Sequence, residues 1–109
     1  MTEQHSGEFA SYQSLELKVL RWAEARRIIP NSNPVAQAVK TIEEVGELFN
    51  ALHKGDMNEA KDAYGDILVT LIIGADLTGV NLLECLRDAY ETIKDRTGHL
   101  TPDGIFVKD

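Results

Sequence analysis

Two long segments of helical periodicity, 34–53 and 57–77, are separated by only three residues, 54–56. Gly55 is the residue type that most often ends a helix in the left-handed conformation, and the Asp56 side chain can accept a hydrogen bond from the first free amides of the next helix. Because so short a connection leaves no room for a crossover, the two helices are predicted to pack side by side and antiparallel. This helical hairpin constrains the fold more than any other feature of the chain.

Two further helices are predicted to flank this pair. Apolar residues at helical spacing mark the first over 9–28, and the proline-bracketed segment PNSNP at 30–34 separates it from the pair. A last helix is predicted from Asn81, as its N-cap, to about Arg96, with Gly98 ending it. Helices of this length joined by short loops are typical of an antiparallel bundle.

The predicted fold class is therefore all-α, a four-helix antiparallel bundle. It forms a single domain over 1–109, with a helical core at about 9–98. The tail at 99–109 is expected to be irregular or extended, with a turn at 102–104.

The C-terminal half of the third helix carries apolar side chains almost all the way round, which indicates burial on every side. These residues are Ile67, Leu68, Val69, Leu71, Ile72 and Ile73. Three companion helices of this size could hardly cover them. The bundle is therefore predicted to be completed by oligomerisation, as a homodimer or homotetramer, with this helix near the interface. The alternative is that the C-terminal tail folds over it.

The composition limits the classes of binding partner and the cellular compartments that are expected for this chain. A net charge of −7 argues against a general nucleic-acid-binding surface, and it favours a metal ion as the means of binding a polyanion. The N-terminus has no apolar signal region and the longest apolar run is too short to span a bilayer, so a cytoplasmic protein without a membrane partner is expected. The single cysteine, Cys85, lies in an apolar-periodic stretch and is predicted to be an inert core thiol.

The second helix divides into two faces at roughly 100° per residue. Glu43, Glu44 and Glu47 form an acidic arc, from which Lys40 also projects. The other arc is apolar and consists of Val35, Val39, Ile42, Val45, Phe49 and Leu52.

The third helix adds Glu59, Asp62 and Asp66, which fall within roughly 60° of one another. Two antiparallel helices could thus direct five or six carboxylates into one volume, where like charges repel unless solvent or a cation screens them. Mg²⁺ prefers oxygen ligands of this kind and keeps free positions for water or phosphate oxygens. The alternative is an ordinary solvated acidic face.

The segments KTIEEVGELFNAL at 40–52 and DAYGDILVTL at 62–71 resemble the MazG-like branch of the all-α nucleoside triphosphate pyrophosphohydrolases. That family carries an EExxE motif on one helix and ExxD on the next. EExxE is intact at 43–47, and Gly65-Asp66 resembles the step that contains the ExxD aspartate. The similarity extends over about residues 10–98, which supports the predicted fold class.

One position departs from the family pattern. The glutamate expected three residues before Asp66 is replaced by Ala63. Asp62, one helical turn before Asp66, is the preferred substitute. Alternatively, Glu59 and Asp62 themselves spell ExxD in a shifted register.

The resemblance implies hydrolysis of a nucleoside triphosphate between its α and β phosphates, with Mg²⁺ or alternatively Mn²⁺. It implies that the metal ligands are Glu44, Glu47, Asp62 and Asp66. Glu43 would orient a ligand or a water, and a carboxylate of the cluster, Glu43 or Glu47, would act as the base.

Four further residues are candidates for substrate binding. Lys94 and Arg96 resemble the basic residues with which the family contacts phosphates, although cations near a helix C-terminus also suit its dipole. Lys40 would contact a phosphate or form an internal ion pair. Trp22 would stack on the base or belong to the core.

Three functional hypotheses follow. The first is a metal-dependent nucleotide pyrophosphohydrolase that acts in nucleotide-pool control. The second is a catalytically weak or inactive module that binds a nucleotide or a protein, which Ala63 favours. The third is a structural helical oligomer, which leaves the concentration of acids on two consecutive helices unexplained.

Overall fold

The computed structural model describes residues 11–109, which form four long helices, one short helical turn and a C-terminal hairpin. The all-α class is confirmed, and the part of the predicted first helix around Phe9 lies outside the described residues. The elements are α1 Tyr12–Ala25, α2 Ile28–Asn31, α3 Pro34–Lys54, α4 Met57–Thr78, α5 Leu82–Ile93, β1 Gly98–Leu100 and β2 Phe106–Lys108. The predicted break at 30–34 thus begins within the single turn of α2.

Side-chain caps fix the helix boundaries. Asn33, Asp56 and Asn81 each accept a hydrogen bond from the backbone amide three residues later, as N-caps of α3, α4 and α5. Gly55 and Gly79 end α3 and α4 with φ of 75° and 91°, a conformation that costs glycine little. These bonds are local, which explains why the sequence places the boundaries well.

The helices α3 and α4 form the antiparallel pair predicted from the sequence, but small and polar residues make the contact between them. Ala51, Ala60 and Ala63 are buried there, and the Thr41 and Thr70 hydroxyl oxygens lie 2.7 Å apart. We call this contact the α3–α4 seam. The Thr41–Thr70 contact fixes the register, so that residues later in α3 face residues earlier in α4.

The apolar arc of α3 points away from the seam. Val35, Ile42 and Phe49 are 72%, 71% and 66% exposed, and among the described residues Ile73 is the only large apolar side chain that is buried. The radius of gyration is 16.3 Å, against about 13 Å for a compact chain of this length. The helices therefore leave much of their apolar surface uncovered within one chain.

The helix α5 does not return alongside α4, as the predicted antiparallel bundle requires. It leaves α4 at a bend of 99°. At this bend the Asn81 side chain caps α5 and also donates from Nδ2 to Oε1 of Glu16 on α1, at 3.0 Å. Glu16 is buried, so this bond holds the α4–α5 turn against the middle of α1.

Replacement of Glu16 by alanine is expected to lower the free energy of unfolding by about 1–3 kcal/mol, because the amide of Asn81 would lose its partner in a buried place. Glu16→Gln keeps an acceptor oxygen and should lose less. Urea unfolding measures the difference, with Glu24→Ala on the exposed side of α1 as the control. Equal stability of Glu16→Ala and Glu24→Ala would show that this bond is unimportant.

The C-terminal region differs from the sequence prediction. The helix α5 ends at Ile93, and Gly98 does not cap it but begins β1, which pairs antiparallel with β2. A Cβ at Gly98 would overlap the Val107 carbonyl oxygen and the Phe106 ring, so the pairing requires glycine. The predicted turn is present at 102–104, inside this hairpin.

The prediction of a core thiol is wrong, because Cys85 is exposed. It lies on α5, which the bend carries away from the other helices. Within residues 11–109, no single helix has both the length and the apolar character needed to cross a membrane. Together α4 and α5 reach that composition, but they are bent at their junction.

Candidate active site

An acidic recess of about 420 Å³ lies between the C-terminal half of α3 and the N-terminal half of α4. Four of the carboxylates singled out in the sequence meet in it, because the antiparallel seam sets the end of one helix beside the start of the other. The lining residues are Glu47, Asn50, Lys54, Glu59, Asp62, Ala63 and Asp66.

Glu44 is the exceptional member of the acidic arc. It is only 7% exposed, and its Oε1 has no hydrogen-bond partner among the described residues. The other oxygen, Oε2, lies 3.7 Å from Nζ of Lys40. Glu44 lies one helical turn before Glu47 on α3, but it is not among the residues that line the recess. A buried carboxylate oxygen without a partner is costly, and a cation can satisfy it.

Lys40 forms the internal ion pair that the sequence left as one of two alternatives. Its Nζ lies 3.5 Å from Oε1 of Glu43. The hydrogen bond and the charge of Glu43, followed by the charge of Glu44, raise the pKa of Lys40. A raised pKa favours the folded state while the lysine is protonated, and this contribution is lost as the pH rises through the raised value. Because Lys40 and Glu43 are exposed, the contribution is small.

The carboxylates match a divalent cation in chemical type. All are oxygen donors, as Mg²⁺ and Mn²⁺ prefer. Within residues 11–109, however, no three His, Cys, Asp or Glu side chains stand close enough to share a metal ion without moving. Metal binding therefore requires rotation of these side chains.

Ala63 occupies the position where the resemblance expects a glutamate. It is 4% exposed and packs in the seam, on the inner side of the recess. Asp62 and Glu59 both line the recess. Both alternatives for the replacement carboxylate therefore agree with the geometry.

A second, more apolar recess adjoins the first between α1 and α4, and Asp66 belongs to both. Trp22 is 44% exposed there, so it is not a core residue, and the Arg26 guanidinium lies 5.1 Å from the centre of its ring. The residues of this Trp22 recess are Leu15, Lys18, Val19, Trp22, Asp66 and Val69. The aromatic face of Trp22 is suited to stacking on a nucleobase. Asp66, which lines both recesses, would lie between that base and the phosphates in the acidic recess.

The basic residues near the end of α5 lie elsewhere. Nζ of Lys94 is 2.8 Å from Oε1 of Glu91 within α5, and Arg96 follows in an exposed turn. Neither lines the acidic recess of its own chain, because α5 starts at the opposite end of α4 and bends away from it.

The sequence reasoning overlooked Asn50, Lys54 and Lys18, which line the two recesses. Helical spacing would have found the first two. They follow Glu43 and Glu47 along one line of α3, at steps of three and four residues.

The family profile of the MazG nucleotide pyrophosphohydrolase domain matches residues 34–101, more than half of the chain. The chain belongs to the MazG nucleotide pyrophosphohydrolase family. The matched region contains the EExxE segment of α3 and the acids of α4. The match excludes α1. Trp22 therefore lies outside it, and the recess around Trp22 lies only partly within it.

Two further comparisons give more detail. An uncharacterised 18.2 kDa protein of Haemophilus phage HP1 is 36% identical over 64 residues, which span 59% of this chain and 39% of that protein. The solved structure of the cyanophage S-2L MazG-like pyrophosphohydrolase, bound to dGDP and three catalytic Mn²⁺ ions per active site, superposes with a TM-score of 0.71. It covers 92% of this chain and 94% of its own at 22% identity, which establishes the fold.

Proposed function

We propose that this protein is a metal-dependent nucleoside triphosphate pyrophosphohydrolase, which converts an NTP or dNTP and water into the monophosphate and pyrophosphate. The observation that carries the proposal is the buried Oε1 of Glu44, which has no partner among the described residues, together with a recess lined by four further carboxylates. Membership of the MazG family supports this reaction. The cyanophage protein of the same fold binds a nucleotide together with Mn²⁺.

In this proposal Glu44, Glu47, Asp62 and Asp66 would hold Mg²⁺ or Mn²⁺. The metal supplies neutralisation of phosphate charge and a more acidic water when it is bound. The protein contributes the positions of the carboxylates, and Glu43 or Glu47 accepts the proton of the water. Burial restricts the Glu44 side chain to one orientation, since a packed side chain has few rotamers available.

The other candidates complete the substrate site. Trp22 stacks on the base. The neighbouring Asp66, as a metal ligand, places the metal next to the phosphates of that nucleotide. Lys40 leaves its ion pair with Glu43 and binds a phosphate oxygen instead. Because Lys94 and Arg96 lie away from the recess of their own chain, we propose that they reach the phosphates bound by another subunit.

We propose a homodimer or homotetramer in the cytoplasm. The exposed apolar arc of α3 supports self-association, because among the described residues one chain buries a single large apolar side chain, that of Ile73. The half-exposed apolar residues Leu68 and Leu71 add a second uncovered surface on α4. The first of these surfaces was not the one expected from the sequence, which placed the interface near α4.

Pyrophosphate release from a panel of ribo- and deoxyribonucleoside triphosphates tests the reaction. We expect turnover with Mg²⁺ or Mn²⁺ and none after the metal is removed by a chelator. Saturable nucleotide binding without turnover would instead support the alternative of a non-catalytic binding module, which the buried Ala63 favours.

The missing glutamate can be located by two substitutions. If Asp62 replaces it, Asp62→Asn should reduce kcat/KM as much as Asp66→Asn does, by about 100-fold, and Glu59→Gln should reduce it much less. The reverse order, with the large loss confined to Glu59→Gln, would establish the shifted register. Steady-state kinetics at saturating metal measure these effects, and thermal melts show whether each variant is folded.

A further inference from the structure

Lys54 is the cationic residue of the acidic recess; no other Lys or Arg lines it in the part of the chain that the structure describes. It is the last residue of α3, two helical turns beyond Glu47 on the same line of the helix. Its Nζ lies 3.2 Å from Oε1 of Glu59 on α4, so the side chain reaches across the end of the recess.

The bond between Lys54 and Glu59 is weak enough to be exchanged. The two side chains are 58% and 57% exposed, and exposed ion pairs of this kind contribute little to stability. A phosphate oxygen that carries a full charge is a stronger partner for an ammonium group than a solvated carboxylate. The geometry therefore leaves Lys54 available to an anion that enters the recess.

The two recesses give a bound nucleotide a direction. The Trp22 recess and the acidic recess meet at Asp66, and Lys54 lies at the other end of the acidic recess, beside Glu59. Asp66 and Glu59 are seven residues apart on α4, about 10 Å along the helix axis. A base at Trp22 thus places the first phosphate near Asp66 and the terminal phosphates towards Lys54.

We propose that Lys54 binds the β and γ phosphates of the substrate, the part that is released as pyrophosphate, an inference that rests on the proposed hydrolysis. Four carboxylates line the recess with this one ammonium group, so a pyrophosphate anion there needs both metal ions and Lys54. The monophosphate product lies at the Trp22 end and does not touch Lys54.

The test compares the affinities of the two products by titration calorimetry in the presence of Mg²⁺. The probes are inorganic pyrophosphate and the monophosphate of the triphosphate that wild type turns over fastest. Lys54→Gln is expected to weaken pyrophosphate binding about tenfold and to leave monophosphate binding within about twofold. Lys54→Arg should recover part of the loss, because it keeps the charge.

Lys61→Gln is the matched control, since Lys61 is exposed on α4 outside the residues that line the recess. It changes the net charge by the same amount and should alter neither affinity. A structural role for Lys54 at the end of α3 would lower the melting temperature and weaken both products alike, and that result would overturn the inference. Unchanged pyrophosphate affinity in Lys54→Gln would overturn it as well.

Failure of this inference is distinguishable from failure of the proposed function. If wild type hydrolyses a triphosphate while Lys54→Gln binds pyrophosphate as wild type does, the assignment of Lys54 alone is wrong. If wild type neither hydrolyses nor binds any triphosphate with Mg²⁺ or Mn²⁺, the proposed function is wrong and the role of Lys54 falls with it.

Discussion

Glu44→Gln is expected to lower kcat/KM by about 100-fold or more and, at the same time, to make the metal-free protein more stable. The two effects have one cause. Oε1 of Glu44 is a buried carboxylate oxygen without a partner among the described residues, so a neutral amide removes a cost of about 1 kcal/mol or more from the folded state. This gain exceeds the loss of the 3.7 Å contact between Oε2 and Lys40, whose exposed side chain makes that ion pair weak. The same change removes a charged ligand from the metal site.

Pyrophosphate release and urea unfolding on one preparation measure both effects. Glu24→Gln on the exposed side of α1 is the control and should change neither. Addition of Mg²⁺ or Mn²⁺ should stabilise wild type more than Glu44→Gln, because a ligand stabilises the state that binds it. An active Glu44→Gln variant, or one that metal stabilises as much as wild type, would contradict the assignment.

Phe49→Asp is expected to dissociate the proposed oligomer and to abolish cooperative unfolding of the resulting single chain. Phe49 is 66% exposed on the apolar arc of α3, where a charge would be buried in an assembly that uses this surface. A separated chain would keep only the α3–α4 seam and other partly covered contacts, which bury too little apolar surface for a stable domain.

Light scattering after size-exclusion chromatography gives the mass, and thermal melts at several protein concentrations give the stability. Phe49→Leu, which keeps an apolar side chain at the same position, should behave like wild type. An Asp variant with the same mass and melting temperature as the Leu variant would exclude this arc as the interface.

The sequence predicted best the parts of the fold that local interactions determine. Asn33, Asp56 and Asn81 cap helices through hydrogen bonds to amides three residues away, and their residue types alone suggest them. The direction of α5 was not predictable in this way. It accompanies a bond between Asn81 and Glu16, which are 65 residues apart in the chain.

Exposure was equally difficult to predict from periodicity. An amphipathic pattern shows which residues share a helix face. It does not show whether another part of the same chain or a second subunit buries that face. The pattern therefore found the arc that contains Ile42 and Phe49 correctly, while the structure shows that this arc is exposed. Cys85 was misjudged for the same reason.

The candidate site also has some features that local structure determines and others that depend on helix packing. The EExxE segment and Asp66 are recognisable because they lie on two adjacent helices with a short connection, and the antiparallel pairing brings Glu47 of that segment into one recess with Asp66. The burial of Glu44 and the contact of Lys54 with Glu59 depend on how the helices pack. These features required the three-dimensional structure.

The division of α3 into three faces also bears on its tolerance of substitution. One face lines the acidic recess, one packs in the seam through Thr41 and Ala51, and the third is the apolar arc. About half of its 21 residues belong to one of these faces. Substitutions at these positions disturb chemistry, packing or association, so divergence between relatives should accumulate in α1 and the C-terminal hairpin before it reaches these faces of α3.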